Sequence, residues 1–158
     1  MKTIHEIRAP VDDDWSRIDY LASNDVQEAD HAGVDQVWTN NRRAFSGERH
    51  HVVLTEEDVI QAYCSLERNN GETSWRAFIV MDWSVQDEGR QQAAFGALEQ
   101  LMEACDAREV WMRELTGDRL LLSFIQSKGF FVERTFEHEG QEMMVLRLHR
   151  SDPASRSC

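Results

Sequence analysis

The stretch that decides the fold is residues 75–105, WRAFIVMDWSVQDEGRQQAAFGALEQLMEAC. Residues 78–85 are almost continuously apolar, which is typical of a central strand whose two faces are both buried. A polar turn follows over residues 86–89. From Arg90 onward, apolar residues recur at steps of three and four, and this spacing predicts an amphipathic helix. These helical positions are Phe95, Leu98, Leu101, Met102 and Cys105.

The beginning of this helix is a candidate anion site. The first turn of a helix leaves backbone N–H groups unpaired and carries a partial positive charge. Both features favour a bound phosphate group. We therefore expect the segment that begins Arg90-Gln91-Gln92 to be able to hold one.

The rest of the chain supplies six more strands and three more helices. The strands are expected at residues 3–8, 51–54, 59–68, 109–115, 130–136 and 142–148. The helices are expected after the cap residues 12–14, at 33–45 and at 118–128. Asn69-Asn70-Gly71 predicts a hairpin, so the second to fourth strands should form an antiparallel meander. The strand-helix-strand unit over residues 78–115 predicts a parallel pair, which makes the sheet mixed.

Length and composition favour a single domain over residues 1–150, followed by a loose tail over residues 151–158. The chain has 158 residues, of which 41% are hydrophobic, enough for one core. A formal charge of −12 argues against binding nucleic acid, which requires clustered basic residues. No uncharged stretch is long enough to span a membrane, and the first residues lack a signal-peptide core. We expect a cytoplasmic protein with reduced cysteines.

Three segments carry a resemblance to a known family. Val85-x-Asp87-x-x-Arg90-x-x-Ala93-x-Phe95 is similar in register to the acetyl-CoA motif of the GNAT N-acetyltransferases, Val-x-Pro-x-x-Arg/Gln-x-x-Gly-x-Gly/Ala. Residues 62–67, AYCSLE, resemble the family's Gly-Tyr-Ala-Ser-Leu strand, and residues 123–130, SFIQSKGF, resemble its helix that ends in Gly-Phe. The family usually has a small residue where this chain has Phe95.

The resemblance implies an α/β (α+β) fold, with a GNAT-like mixed sheet of about seven strands flanked by about four helices. It implies an acetyl-CoA-dependent N-acetyltransferase, which acts by direct attack of a primary amine. The amine would belong to a small molecule or to a protein N-terminus or lysine, and the enzyme would be a homodimer. The alternative is a non-catalytic CoA-binding or regulatory GNAT-like module, which Phe95 and Ile125 favour, because Ile125 replaces the family's frequent tyrosine acid.

The resemblance also implies the residues that contact the cofactor. Backbone N–H groups near the end of the fourth strand would hold the pantetheine arm, and those at the start of the helix would hold the diphosphate. The expected set is Trp83, Ser84, Val85, Arg90, Gln91, Gln92, Ala93, Ala94, Phe95, Gly96, Asp118, Ser123 and Phe124. The Phe95 side chain either turns into the core or blocks the phosphates, and its helical periodicity favours the core.

Candidate catalytic residues are carboxylates within apolar segments. Asp82 is the first choice for a general base and Glu67 the second, because burial would raise the pKa of an isolated carboxyl. The alternative for each is a structural bond to a neighbouring group. Trp38, on the helix expected at residues 33–45, is a possible substrate contact. The six histidines lack metal-ligand spacing, so no metal is expected. Three apolar residues of the last hairpin are candidates for a dimer interface, namely Phe131, Met143 and Val145.

Overall fold

The computed structural model of the chain describes residues 4–24, 46–83, 85–117 and 119–150. The strands are β1 (His5–Arg8), β2 (Glu48–Glu56), β3 (Val59–Arg68), β4 (Trp75–Met81), β5 (Glu109–Leu115), β6 (Phe131–His138) and β7 (Gln141–His149). The α-helices are α1 (Trp15–Asn24), α2 (Glu88–Ala104) and α3 (Arg119–Ser127). A short 3-10 helix, Asp12–Asp14, directly precedes α1.

The seven strands form one mixed sheet in the order β1-β2-β3-β4-β5-β7-β6. Neighbouring strands from β1 to β4 run antiparallel, β4 and β5 are parallel, and β7 is antiparallel to both β5 and β6. The predicted seven-stranded mixed sheet is therefore confirmed. Three α-helices lie in the described part of the chain, and the fourth, predicted at residues 33–45, falls outside it.

The helices cover the sheet on both faces. Because side chains alternate along a strand, Ala77, Ile79 and Met81 of β4 join the core under α2 and α3. Val80 points the other way and packs with Trp15, Ile18, Leu21 and other residues of the α1 core. The larger of the two cores is the one beneath α2 and α3, and it continues into the turn after β4.

Two boundaries differ from the prediction in a way that matters for the site. β4 ends at Met81 rather than at residue 85, and the chain then turns, with the Val85 N–H donating to the Asp82 carbonyl at 3.3 Å. α2 begins at Glu88 rather than at Arg90, because the Asp87 side chain caps it. An aspartate at this position accepts a bond from a first-turn N–H and extends the helix backward.

Two whole-chain expectations can be compared with the described residues. No helix among them is long and apolar enough to cross a membrane. Cys64 and Cys105 are free thiols, in line with the expected reduced state, while Cys158 lies outside the described part. Burial raises the pKa of the Cys64 thiol to about 12. A thiol this deeply buried is inert at neutral pH.

Candidate functional site

The candidate site lies where β4 and β5 separate. Two neighbouring pairs join these strands, Trp75 with Val110 and Arg76 with Trp111, and the register gives no later pair between them. β4 nevertheless continues to Met81, still paired with β3 on its other side. The two strands therefore diverge toward their carboxyl ends, so the β5 side of β4 has no ladder partner after Arg76. Unpaired strand groups at such an opening can bind an extended ligand.

α2 begins beside this opening, and the chain's own groups already bind part of its first turn. The Arg90 N–H donates to the Asp87 carboxylate at 3.0 Å, and the Gln91 N–H donates to the Asp87 carbonyl at 3.0 Å. From Gln92 onward, each N–H lies in the helix interior, where it bonds to the carbonyl four residues earlier. The backbone N–H groups from Gln91 to Gly96 are therefore already used within α2, which weighs against the expectation that they hold a diphosphate.

The charges around Arg90 also disfavour a diphosphate at the start of α2. Its guanidinium donates to the Glu56 carboxylate of β2, and this hydrogen bond raises the pKa of Arg90. Asp87 and Asp82 raise the pKa further through their charges. Arg90 thus faces three carboxylates, and Glu88 adds a fourth in the first turn of α2. The start of the helix has a local excess of negative charge, which disfavours a diphosphate there.

Phe95 turns into the core, as its periodicity predicted. Its side chain is 2% exposed. The ring meets Phe124 edge-on at 6.0 Å between centroids and Phe130 at 6.4 Å. Trp83 joins the same group, with its ring 5.7 Å from that of Phe124. We call Trp83, Phe95, Phe124 and Phe130 the aromatic cluster. It links the turn after β4 to α2 and α3.

Lys128 lies over this aromatic cluster. Its ammonium group is 5.5 Å from the centroid of Phe95 and 5.4 Å from that of Phe124, and it donates a hydrogen bond to the side-chain amide of Gln92. Lys128 forms no ion pair with any described residue. Unlike Arg90, this cation is not neutralised by a carboxylate, so it is the better candidate for an anionic ligand.

The two candidate bases lie far apart. Asp82 is half-buried directly after β4, near Arg90. Glu67 is 3% exposed and sits opposite Arg76 in the β3–β4 register. Six residues at about 3.3 Å each separate Arg76 from Asp82, so the two carboxylates are about 20 Å apart along the strand. They do not belong to one site.

Glu67 has a structural explanation of its own. Its carboxylate accepts a bond from the Arg49 guanidinium at 3.1 Å and another from the Ser65 hydroxyl at 3.1 Å. These two hydrogen bonds satisfy the buried carboxylate and account for its position without a catalytic role.

The remaining expected residues are scattered around the opening. Ser123 is exposed and Phe124 half-buried on α3. Ile125 is fully buried, and its hydrocarbon side chain has no proton to donate, so this position supplies no general acid. Ala93 and Ala94 pack on the core beneath α2. Ser84, Trp38 and Asp118 lie outside the described residues.

A dimer interface finds less support than the sequence suggested. Met143 and Val145 are buried within the monomer, at 1% and 4% exposure, so they do not present an apolar surface. Only Phe131 of the three expected residues is exposed, together with its neighbour Val132. A dimer through β6 would therefore depend on these two side chains.

The resemblance implies acetyl-CoA as the cofactor, and one part of that molecule, the pantetheine arm, fits this arrangement. The pantetheine arm is extended and carries amide groups, and the β5 side of β4 offers a strand edge that is free after Arg76. The buried indole N–H of Trp83, for which the described residues offer no acceptor, is a further polar group near this edge. The Asp87 cap and the surrounding carboxylates disfavour the diphosphate at the first turn of α2. Gln92 and Lys128 are candidate phosphate contacts in its place. No described group of three or more side chains has the geometry to bind a metal ion.

Sequence reasoning missed two features of the site. It did not foresee that Glu56 neutralises Arg90, since the two residues are far apart in sequence. It assigned cofactor contacts to the backbone near Trp83 and did not foresee that the buried indole N–H has no acceptor among the described residues. A signal for its buried side chain did exist, because Trp83 continues the alternation of Ala77, Ile79 and Met81, which all face the core under α2.

No family model matches the chain, and no curated protein matches it. Solved structures do match, over nearly the whole length of both chains. A protein of the GNAT family from Desulfovibrio desulfuricans is 17% identical, with a TM-score of 0.71, over 92% of this chain and 99% of that one.

Two further solved structures carry more specific names. The spermidine/spermine N-acetyltransferase SpeG from Vibrio cholerae, in mutant form, is 16% identical, with a TM-score of 0.70, over 98% of each chain. The structure of yncA from Salmonella typhimurium with its cofactor acetyl-CoA is 15% identical, with a TM-score of 0.69, over 98% of this chain and 99% of that one. At these identities the similarity establishes architecture. The chain has the fold of the GNAT superfamily.

Proposed function

We propose that the protein is an N-acetyltransferase that takes an acetyl group from acetyl-CoA and transfers it to a primary amine by direct attack. The observation that carries this proposal is the divergence of β4 from β5 after Arg76 within a GNAT fold. It leaves a backbone edge beside the start of α2, and an extended acyl-bearing arm can bind such an edge. The yncA structure, with acetyl-CoA bound, supports the choice of cofactor.

When bound, acetyl-CoA supplies the thioester carbon that an amine attacks. In the proposed site, N–H groups of β4 beyond Arg76 bind the arm and polarise the thioester carbonyl. Holding the amine and the thioester in the reactive geometry can by itself lower the activation barrier by up to about 7 to 11 kcal/mol. A general acid or base usually adds about a hundred- to ten-thousand-fold. Loss of the family's tyrosine, replaced by the buried Ile125, is therefore compatible with slow catalysis.

Asp82 is the proposed proton acceptor. It is half-buried at the end of β4, where the amine would approach, whereas Glu67 is about 20 Å away and bonded to Arg49. An ammonium group must lose a proton before it can attack. The rate is therefore expected to rise with pH as the amine is deprotonated.

Lys128 and Gln92 are the proposed contacts for the phosphates of CoA. Lys128 has no carboxylate partner among the described residues, and Gln92 lies beside it on α2. Arg90, by contrast, is bonded to Glu56. The remaining expected contacts with the cofactor, Ser84 and Asp118 among them, stay part of the proposal.

The acceptor is proposed to be a cationic amine of a small molecule, a protein N-terminus or a lysine. With a formal charge of −12, the molecule attracts cations and repels anions over its surface. SpeG is named for spermidine and spermine, so polyamines are the first acceptors to test. Trp38 is proposed to contact the acceptor. A cytoplasmic homodimer is the proposed form of the enzyme.

The test is thiol release from acetyl-CoA with a panel of amines between pH 6 and pH 9, for the wild type and for Asp82→Asn. We expect release above spontaneous hydrolysis, rising with pH, and a lower rate in Asp82→Asn. Glu67→Gln is the matched control, since it removes the other candidate carboxylate; a folded Glu67→Gln protein should retain its rate. Unchanged activity in Asp82→Asn would be consistent with the proposed enzyme and would refute the role of Asp82 as its general base.

A second function is favoured by two observations. The capped first turn of α2 and the buried Ile125 remove two features that the family resemblance implies for catalysis. A non-catalytic module that binds CoA would tolerate both changes. Binding of acetyl-CoA, with no thiol release for any amine at any pH, would establish this alternative and refute the enzyme.

A further inference from the structure

Trp83 has a buried indole N–H with no hydrogen-bond acceptor. The residue is 2% exposed, and its Nε1 atom finds no partner in the part of the chain that the structure describes. The indole has a single polar atom, which can only donate. The side chain therefore makes no hydrogen bond of its own, unlike the buried Glu67 carboxylate, which accepts from two neighbours.

Such a group needs an explanation. Buried tryptophans usually place their N–H against an acceptor, since the desolvated donor otherwise costs free energy. Nearly all buried polar groups in folded proteins find a partner in the protein or in bound water. A group left over at the edge of a candidate site is accounted for if a ligand supplies the acceptor.

The position of Trp83 indicates which part of a ligand would reach it. The residue comes two positions after the end of β4, beyond the point where β4 has separated from β5. Its ring packs 5.7 Å from that of Phe124, which is half-buried, so the aromatic cluster borders the surface at α3. A ligand lying along the free edge of β4 would therefore pass beside Trp83.

The surroundings favour a neutral acceptor. Trp83 belongs to the core that contains Phe95 and Phe130, and an ionised phosphate would lose its hydration among these rings. Lys128, which has no carboxylate partner among the described residues, lies over Phe95 and Phe124 instead, where it could meet a phosphate. A carbonyl oxygen is strong enough to accept the indole N–H and carries no charge to desolvate. The pantetheine arm of CoA presents such oxygens in its amide groups.

We propose that the Trp83 indole N–H binds an amide carbonyl of the pantetheine arm, an inference that rests on the proposed function. Trp83 is thus a cofactor-binding residue through its side chain. It contributes an anchor for the arm beside a helix start whose capping and local negative charge disfavour the diphosphate. The phosphates and the arm are then recognised by different side chains, Lys128 with Gln92 for the former and Trp83 for the latter.

Calorimetry on Trp83→Phe tests this assignment with three probes, namely acetyl-CoA, pantetheine and adenosine 3′,5′-bisphosphate. Phenylalanine keeps an aromatic ring in the core and removes the donor together with part of the indole volume, a loss that Trp111→Phe shares. The variant should bind acetyl-CoA and pantetheine about 3- to 10-fold more weakly, the usual effect of one hydrogen bond, and should bind the bisphosphate unchanged. Trp111→Phe is the matched control, since Trp111 is half-buried beside Arg76 on the opposite face of the sheet, and it should bind all three probes like the wild type.

The outcomes separate the two proposals. Equal affinity of wild type and Trp83→Phe for pantetheine would overturn the role of Trp83 and leave the proposed function standing. Equal weakening of all three probes would also overturn it, because the residue would then support the site as a whole. Absence of any acetyl-CoA binding by the folded wild type would overturn the proposed function itself, and this inference with it.

A measurement on the unaltered protein covers the case in which Trp83→Phe fails to fold. Nuclear magnetic resonance resolves the indole N–H signals of the five tryptophans. The signal with Overhauser contacts to Phe124 belongs to Trp83, and a new hydrogen bond to a carbonyl should move it downfield when pantetheine is added. A signal that stays in place while pantetheine binds would refute the contact.

Discussion

Replacing Phe95 by alanine tests whether this residue is part of the core or an obstacle in the cofactor site. The family usually has a small residue here, so a simple expectation would be that Phe95→Ala restores a binding site at little cost. The structure gives the opposite expectation. Phe95 is 2% exposed, and its ring meets two others edge-on, those of Phe124 and Phe130, with Lys128 above it.

The size of the effect follows from these contacts. Truncating a buried phenylalanine to alanine costs about 3 to 5 kcal/mol, and edge-to-face ring pairs add to the loss. Phe95→Ala should therefore lower the free energy of unfolding by about 4 to 5 kcal/mol. A domain of this size has about 5 to 15 kcal/mol in total, so the variant would be marginal. At about 2 to 4 °C per kcal/mol, its Tm should fall by about 8 to 20 °C.

Urea unfolding followed by circular dichroism measures this loss directly. Leu120→Ala is the matched control: Leu120 is 50% exposed on α3, so its truncation should cost about 1 kcal/mol or less. A loss below about 1.5 kcal/mol for Phe95→Ala, accompanied by tighter binding of acetyl-CoA, would show that the ring obstructs the phosphates instead of filling the core.

Three other predictions concern binding, pH and assembly. Lys128→Gln should weaken acetyl-CoA binding about 3- to 10-fold, a modest effect because the side chain is partly exposed. Arg90→Gln should change the affinity less than twofold, roughly, because Arg90 is bonded to Glu56. Calorimetry that shows the reverse order would contradict the proposed phosphate contacts. Arg8 lowers the pKa of the Asp14 carboxyl through a hydrogen bond, so the stabilisation is present above the unfolded pKa of about 3.9 and is lost as the pH falls through the lower folded value. Asp14→Asn should therefore be less stable than the wild type at pH 6, with the difference shrinking below about pH 4, and a difference independent of pH would exclude this pair as its source. Sedimentation at high micromolar concentration should give twice the 18.4 kDa of one chain, and Phe131→Ser should shift the population toward monomer; a wild-type monomer would reject the dimer.

The architecture was predictable because local signals agreed with one another. Asn69-Asn70-Gly71 marks the hairpin between β3 and β4, and the helical spacing after Arg90 requires a crossover to a parallel strand. Residues 109–115 form β5 as predicted. Each of these signals lies within a few residues of the element that it specifies, so a single sequence suffices to recognise it.

The details of the site were less predictable, because they depend on contacts between distant segments. The sequence motif places Asp87 where the family has proline, but whether this aspartate caps the helix depends on how the turn from Asp82 to Val85 closes. The partner of Arg90 comes from β2, across the sheet. No periodicity in the helix predicts that pairing, and it decides whether Arg90 is free for a phosphate.

The proposed function depends most on the binding of acetyl-CoA along the β5 side of β4 after Arg76. Hydrogen–deuterium exchange with peptide-level mass spectrometry measures this directly, because backbone N–H groups without a ladder partner exchange readily until a ligand covers them. With saturating acetyl-CoA, exchange should slow over residues 77–83, while the first turn of α2 at residues 88–90 should change little. Unchanged exchange over residues 77–83, with acetyl-CoA shown to be bound, would place the cofactor elsewhere and contradict the proposed site.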